Sequence, residues 1–451
     1  MRISGRAINL AAVIVFLLAS APAGAFKIDP WSYRPFGVSP RGVESQLETF
    51  FHNPRMLILG PIAFGVRVPA AMAQLTEPVH ENLTELSIRC ARAPLLRTSA
   101  EQPTGVVTGT SGIGAAMLDN MITRCAGRSG DMLSQASDLS EDLQEIIRAT
   151  RFNDAPPIQT ARALTMLVTP SALICGEVRV PENAACWAML MSHATGLAAS
   201  DPGNAEFSRN GNILYRSHFG DMQFMHAMAV RGETLARSRE RILFWAQFTY
   251  QVASGEIATE STIGMLPQFA AILGGFEAVT VAEFFEIRGG TDPEKIRRIA
   301  LGALLHTIQD SFSEAHAERE AAGAVRFGPI RAFHEFTCQS DEKHDAADRA
   351  AYYSWFTATT HEELGPITIG AQVLDLLERK FKWESPLGKG APSVALYMRE
   401  SVFPIVAANA AKLAGAGAPF IRTKPAIAIA PISSAQADDT AARAAAADCN
   451  E

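Results

Sequence analysis

Cysteine pairs at metal-binding spacing are missing from this chain. Its six cysteines are Cys90, Cys125, Cys175, Cys186, Cys338 and Cys449, and no two stand at Cys-x-x-Cys spacing. That argues against a thiolate zinc site. Extended alternation of apolar and polar residues is nearly absent, so a sheet-based architecture is not expected. No internal repeat is found. Charge is sparse: 19% of residues are charged and the net charge is −7 with histidine neutral. This works against an electrostatic grip on nucleic acid or an anionic membrane, although it leaves room for a local basic groove. Glu-x-x-His repeats are missing as well, which sets aside a di-iron carboxylate bundle.

Long apolar runs are equally scarce. The stretch "LAAVIVFLLAS" is too short to cross a bilayer comfortably, follows Arg2 and Arg6, and precedes the small residues "AGA" at 23–25. This three-part pattern predicts a secretory signal peptide cleaved after Ala25, rather than a retained membrane anchor. The expected location is the periplasm or the cell exterior, with no stable membrane insertion after cleavage. An even number of cysteines in an oxidising compartment then favours disulfides, with neighbour pairing (90–125, 175–186, 338–449) the simplest arrangement.

The remaining composition is that of a globular protein, with 48% apolar residues among 451. That length suits one large or two to three ordinary domains. Residues 26–75 read as an irregular lead-in holding one apolar helix near 55–75. Helical patterns follow over 76–98, 131–149, 221–236, 237–254, 293–312, 343–358 and 361–382. The loops between them are marked by Gly, Pro, Asn and Ser. Residues 401–451 form an Ala/Gly/Pro-rich tail, expected to be disordered in part or loosely docked. The fold class is therefore all-α, a multi-helix bundle with long irregular loops.

Histidine and aspartate are placed unevenly. In "LHTIQDSFSEAHAER", residues 305–319, His306 and Asp310 stand four apart and share a helix face. His316 lies roughly 15 Å from His306 along an unbroken helix, too far to share an ion unless the helix breaks. His344 and Asp348 repeat the His-x-x-x-Asp spacing. Upstream, "RSHFGDMQFMHAM" holds His218, Asp221 and His226, and "PVHENLT" holds His80 and Glu81. One such pair is weak evidence, but several on separate helices fit ligands projecting into a bundle. His226 reads as a satisfied core histidine and Asp221 as a cap or an orienter of His218. His52, His193, His334 and His361 have no partner at ligand spacing and read as structural or surface residues.

On these residues the chain resembles the zinc-dependent phospholipase C and single-strand nuclease superfamily. Its pattern of His, three residues, Asp, five residues, His, then a later His-x-x-x-Asp is met by His306, Asp310, His316, His344 and Asp348. The family's "HF-x-D" context is matched by "HFGD" at 218–221, and its early His-Glu by "VHENLT". Its upstream Asp, followed closely by Pro, is matched by Asp154 in "FNDAPP", with Asp201 as the second choice. The likeness runs over about residues 76–350.

The resemblance implies a helical bundle of that superfamily's type, holding two to three Zn2+ ions. One ion would take Asp154, His218, His306 and Asp310, and a second His316, His344 and Asp348. The third would take Asp310, His80 and the amine and carbonyl of an N-terminal Trp. Cleavage after Ala25 leaves Phe26 instead, and Trp31 would need a second trimming step after Pro30. The implied activity is phosphoric diester hydrolysis, since metal coordination lowers the pKa of water towards 7. Asp154 is the expected proton acceptor.

The expected substrate is a phospholipid or another phosphodiester. A single-stranded nucleic acid is the alternative, with Phe152, Trp187, Phe219 and Phe224 as stacking platforms or as core. Arg319 and Arg349 read as solvated helix-face residues that could also neutralise phosphate. A non-catalytic secreted protein with structural zinc is the reading from a different class.

Overall fold

A helix apolar on every side belongs at the centre of a domain rather than at its surface. The second half of the segment Pro293–Asp310 takes that place: from Ala300 to Asp310 every residue is buried, while the first half carries the charged Glu294, Lys295, Arg297 and Arg298. The structure is a computed structural model, and it describes residues 79–92, 139–154, 156, 194, 197–198, 207–208, 213–286, 292–320, 328–336, 365–387 and 392–413. In chain order its α-helices are α1 (Val79–Arg92), α2 (Glu141–Ala149), α3 (Ile213–Phe219), α4 (Leu235–Ala253), α5 (Pro267–Ala270), α6 (Val281–Phe285), α7 (Pro293–Asp310), α8 (Pro366–Glu378) and α9 (Val394–Tyr397). Two short strands, β1 (Ala317–Arg319) and β2 (Ile330–Phe333), pair antiparallel. The described residues are mostly helical, with this small sheet added to the all-α expectation.

Helix α7 starts where its sequence says it should. The Asp292 side chain accepts from the Glu294 N–H, and Pro293 occupies the first turn, where its missing N–H costs nothing. The helix packs along α4 and against α2, α1, α6 and α8. Trp245 and Phe248 of α4, Phe152, and Phe284 and Phe285 of α6 form one aromatic cluster in this core, with Phe152 and Phe285 4.9 Å apart. Phe152 and Phe224 are thus core residues, 5% and 1% exposed, and neither offers a stacking platform to a base. Trp187 lies outside the described residues.

Gly302 makes the close approach of α7 to α2 possible. A Cβ there would stand 2.4 Å from the Ala149 carbonyl carbon and 2.7 Å from the Thr150 nitrogen. Both are backbone atoms that cannot swing aside. Gly302→Ala is therefore expected to destabilise the protein by about 1–3 kcal/mol, the usual cost of overpacking. Thermal unfolding checks this, and an unchanged melting temperature would mean that α2 yields freely.

Several expectations need correction. The pattern over 221–236 is not one helix. A short 3-10 turn, Gln223–His226, ends at Ala227, whose φ of 50° lies in the left-handed region. The chain reverses there, and α4 begins only at Leu235. The His306-bearing helix does break: α7 stops at Asp310, and successive turns through Ser313 lead into β1.

Arg319 is not on a solvated helix face. It lies in β1 with a buried guanidinium that donates to the carbonyls of Ser311, Gly328 and Val402, and burial lowers its pKa to about 9. The chain from 401 to 413 is docked rather than loose, since Leu235 and Ala236 donate to the carbonyls of Lys412 and Ala410. Cys90 is buried on α1, and the other five cysteines lie outside the described residues, as does the expected signal segment. No helix of the described residues is long and apolar enough to cross a membrane.

Candidate metal centre

Six separate pieces of chain deliver imidazoles and carboxylates to one buried place. His80 comes from the first turn of α1, and Asp154 follows the 3-10 turn Thr150–Phe152. His218 sits in the last turn of α3, and His226 ends the 3-10 turn before Ala227. His306 and Asp310 lie in the last turns of α7, and His316 stands in the turn before β1. None of these seven is more than 2% exposed. His344, Asp348 and the second-choice Asp201 lie outside the described residues.

Each of the five histidines has one ring nitrogen committed. His306 Nδ1 donates to the Thr150 carbonyl at 2.7 Å, and His316 Nδ1 to the His226 carbonyl at 2.7 Å. His218 Nδ1 donates to the Leu214 carbonyl at 2.9 Å, and His226 Nε2 to the Asn153 carbonyl at 3.2 Å. His80 Nδ1 donates to Gln309 Oε1 at 2.6 Å, while the Gln309 amide nitrogen donates to Thr84 Oγ1 at 2.8 Å. A carbonyl oxygen can only accept, so it fixes the proton on the nitrogen that faces it. In the neutral ring the other nitrogen then carries a lone pair. The set is four Nε2 atoms and one Nδ1, that of His226. Outer-shell carbonyl and amide anchors of this kind are what hold histidine ligands in place.

Those lone pairs meet the carboxylates. Asp310 Oδ2 lies 2.9 Å from His306 Nε2 and 3.0 Å from His226 Nδ1, and these two nitrogens are 3.2 Å apart. Asp310 Oδ1 lies 3.4 Å from His80 Nε2. Asp154 Oδ1 stands 3.7 Å from His226 Nδ1. Two further approaches are made by committed nitrogens, His316 Nδ1 to Asp310 at 3.6 Å and His306 Nδ1 to Asp154 at 3.7 Å. His80 and His306 stack with centroids 3.7 Å apart.

Burial holds the rings neutral. His306 is lowered from 6.5 to about 3, chiefly by desolvation. His80 and His226 are lowered well below 6.5, first by desolvation and then by their imidazole neighbours. With the rings of His80, His226 and His306 held neutral, a divalent cation would find imidazole lone pairs beside the carboxylates of Asp154 and Asp310. The groups His80–Asp154–His306, Asp154–His218–His226 and His226–His306–Asp310 each bring their ligand atoms within 4.8 Å of one another. These buried groups can hold a metal ion.

The structure thus brings together His80, Asp154, His218, His306, Asp310 and His316. It adds His226, read from sequence as a core histidine. His226 stands eight residues after His218, roughly 12 Å away along an unbroken helix and too far to share an ion. Only the chain reversal at Ala227 turns it inward, and the sequence carries no spacing signal for that.

Other motif residues serve elsewhere. Asp221 neither caps nor orients His218 but binds the buried Arg216 through both oxygens, at 2.8 and 3.0 Å. Glu81 pairs with Arg151. His334 is buried beside β1, 3.7 Å from Glu318.

Comparison of the chain with protein-family models, curated proteins and solved structures finds no match.

Proposed function

We propose that this protein is a zinc-dependent phosphoric diester hydrolase of the phospholipase C type, exported by its N-terminal signal segment. The observation that carries the reading is Asp310, one carboxylate faced by the lone-pair nitrogens of His80, His226 and His306 at 2.9–3.4 Å. A structural zinc needs four ligands and no more. Seven buried candidate ligands, Asp310 among them, exceed one such shell and would suit two or more cations. Paired cations of that kind are a recurring means of phosphoester cleavage. The His-x-x-x-Asp-x-x-x-x-x-His spacing of His306, Asp310 and His316 supports the same superfamily and the same bundle type.

Zinc fits the donor set. Imidazole nitrogen and carboxylate oxygen bind it at about 2.0–2.1 Å, which puts tetrahedral neighbours about 3.3 Å apart. The 2.9–3.4 Å separations among His80, His226, His306 and Asp310 are of that order. Bound there, zinc supplies Lewis acidity and lowers the pKa of a water molecule. The chain's own residues do the remaining work. Thr150, Asn153, His226, Leu214 and Gln309 orient the imidazoles, and Asp310 joins the ligand groups. Asp154, set farther from the rings than Asp310, takes up the proton of the attacking water on a carboxylate oxygen.

Phospholipid is favoured over single-stranded nucleic acid as substrate. The net charge is −7, and Phe152 and Phe224 are spent on the core. A second reading, a non-catalytic protein with structural zinc, is favoured by one observation: every described ligand is at most 2% exposed.

Metal analysis of the purified mature protein, followed by assay of a chromogenic phosphodiester and of phosphatidylcholine with and without chelator, decides between them. Two or three zinc ions per chain with chelator-sensitive turnover are expected. Stoichiometric zinc without turnover on lipid, nucleotide or model ester would establish the second reading.

A further inference from the structure

Beneath the metal centre one hydroxyl gathers three of the ligand-bearing segments. Thr307 follows His306, Asn153 precedes Asp154, and Met225 precedes His226. The Asn153 amide nitrogen shares its two N–H groups among Thr307 Oγ1 at 3.0 Å and the carbonyls of Met225 at 2.7 Å and Ala303 at 3.1 Å. Trp245 Nε1, from α4, donates to the same Thr307 Oγ1 at 3.0 Å. Thr307 Oγ1 in turn lies 2.7 Å from the Met225 carbonyl. A hydroxyl has one proton and two lone pairs. Here the proton serves the Met225 carbonyl at 2.7 Å and the Ala303 carbonyl at 3.1 Å, and Asn153 and Trp245 stand at donor distance from the lone pairs. The Asn153 backbone carbonyl meanwhile receives His226 Nε2. Asn153, Trp245 and Thr307 are all fully buried, so water cannot stand in for any of them.

We infer that Thr307, with Asn153 and Trp245, is a positioning hub that sets the separation of Asp154, His226 and His306, and so tunes the affinity and geometry of the bound metal. The hub acts through the backbone next to each ligand. The sequence neighbours Asn153–Asp154, Met225–His226 and His306–Thr307 are covalently tied, so a shift in the hub displaces the ligand beside it. The inference rests on the metal-centre part of the proposed function and not on the substrate.

The test is titration of the metal-free mature protein with Co2+, read by its visible absorption bands, alongside the melting temperature of the metal-free form. Thr307→Val keeps the shape and removes the hydroxyl. It is expected to weaken Co2+ binding by about 10-fold, the lower end of outer-shell effects, and to shift the bands. Thr307→Ser is expected to restore both. A Thr307→Val protein with a lowered melting temperature but wild-type affinity and bands would make the hub merely structural and overturn the inference. If Thr307→Val does not fold, Trp245→Phe removes one donor while keeping a ring in place. Shifted bands in that variant support the hub, and unshifted bands reject it. Absence of cobalt bands in the unaltered protein overturns the metal reading and the hub together, whereas wild-type bands left unmoved by the variants overturn the hub alone.

Discussion

Asp310→Asn is expected to abolish tight metal binding. The amide keeps the size of the side chain and one carbonyl oxygen but loses the charge that three ligand nitrogens face, at 2.9 Å for His306, 3.0 Å for His226 and 3.4 Å for His80. Outer-shell changes cost about 10–100-fold in metal affinity, and removal of the shared carboxylate should exceed about 100-fold. His226→Gln removes one imidazole of five and leaves both carboxylates in place, so its loss should be smaller. The metal-free Asp310→Asn protein should be no less stable than the parent, because an ionised carboxylate held out of water has a solvation cost that the amide does not. Metal content after dialysis against limiting zinc, with melting curves of the metal-free proteins, measures both effects. Equal metal loss in the two variants would remove Asp310 from its central position.

The second large effect is loss of stability in acid. His306 has a folded pKa of about 3 against 6.5 for the free side chain, because burial disfavours the imidazolium. In the metal-free protein the unfolded chain therefore binds a proton that the folded chain refuses. The stabilisation is fully present above pH 6.5, declines as pH falls below it, and is gone once pH passes about 3. For His306 alone the displacement amounts to as much as about 5 kcal/mol. His80 and His226 are displaced in the same direction and steepen the decline.

Urea unfolding of the metal-free protein at pH 7.5 and pH 5 should show a clear loss at the lower pH. Because the folded rings stay neutral well below 6.5, acid should release bound metal together with unfolding. Metal loss near pH 6 with the fold intact would contradict the burial of these rings.

Much of the helical framework is legible in the residues. Pro293 after Asp292 and the apolar pattern that follows mark α7, α4 overlaps the pattern read at 237–254, and α8 falls within that read at 361–382. The capping pair of Thr280 and Glu283 marks α6 in the same local way. These signals are legible because propensity, capping and periodicity act within a few residues of chain. The His306–Asp310 pairing is legible for the same reason, since residues four apart on a helix share a face.

Less was legible where the chain bends. The reversal at Ala227 places a residue with φ of 50° where the sequence suggests continued helix, and the stop of α7 at Asp310 has no proline to announce it. His226 entered the site through the first bend, and His316 came back beside Asp310 through the second. The committed nitrogens of the imidazoles were invisible as well, because most of their acceptors are backbone carbonyls of distant segments.

The residues by themselves determined where α1, α4, α7 and α8 form and that His306 and Asp310 point the same way. Tertiary structure alone decided that five histidines and two carboxylates share one dry interior and which nitrogen of each ring faces the carboxylates. The physical reason is range: helix formation is settled by neighbours in the chain, whereas burial and the partner of a ring nitrogen depend on what packs there from far along it.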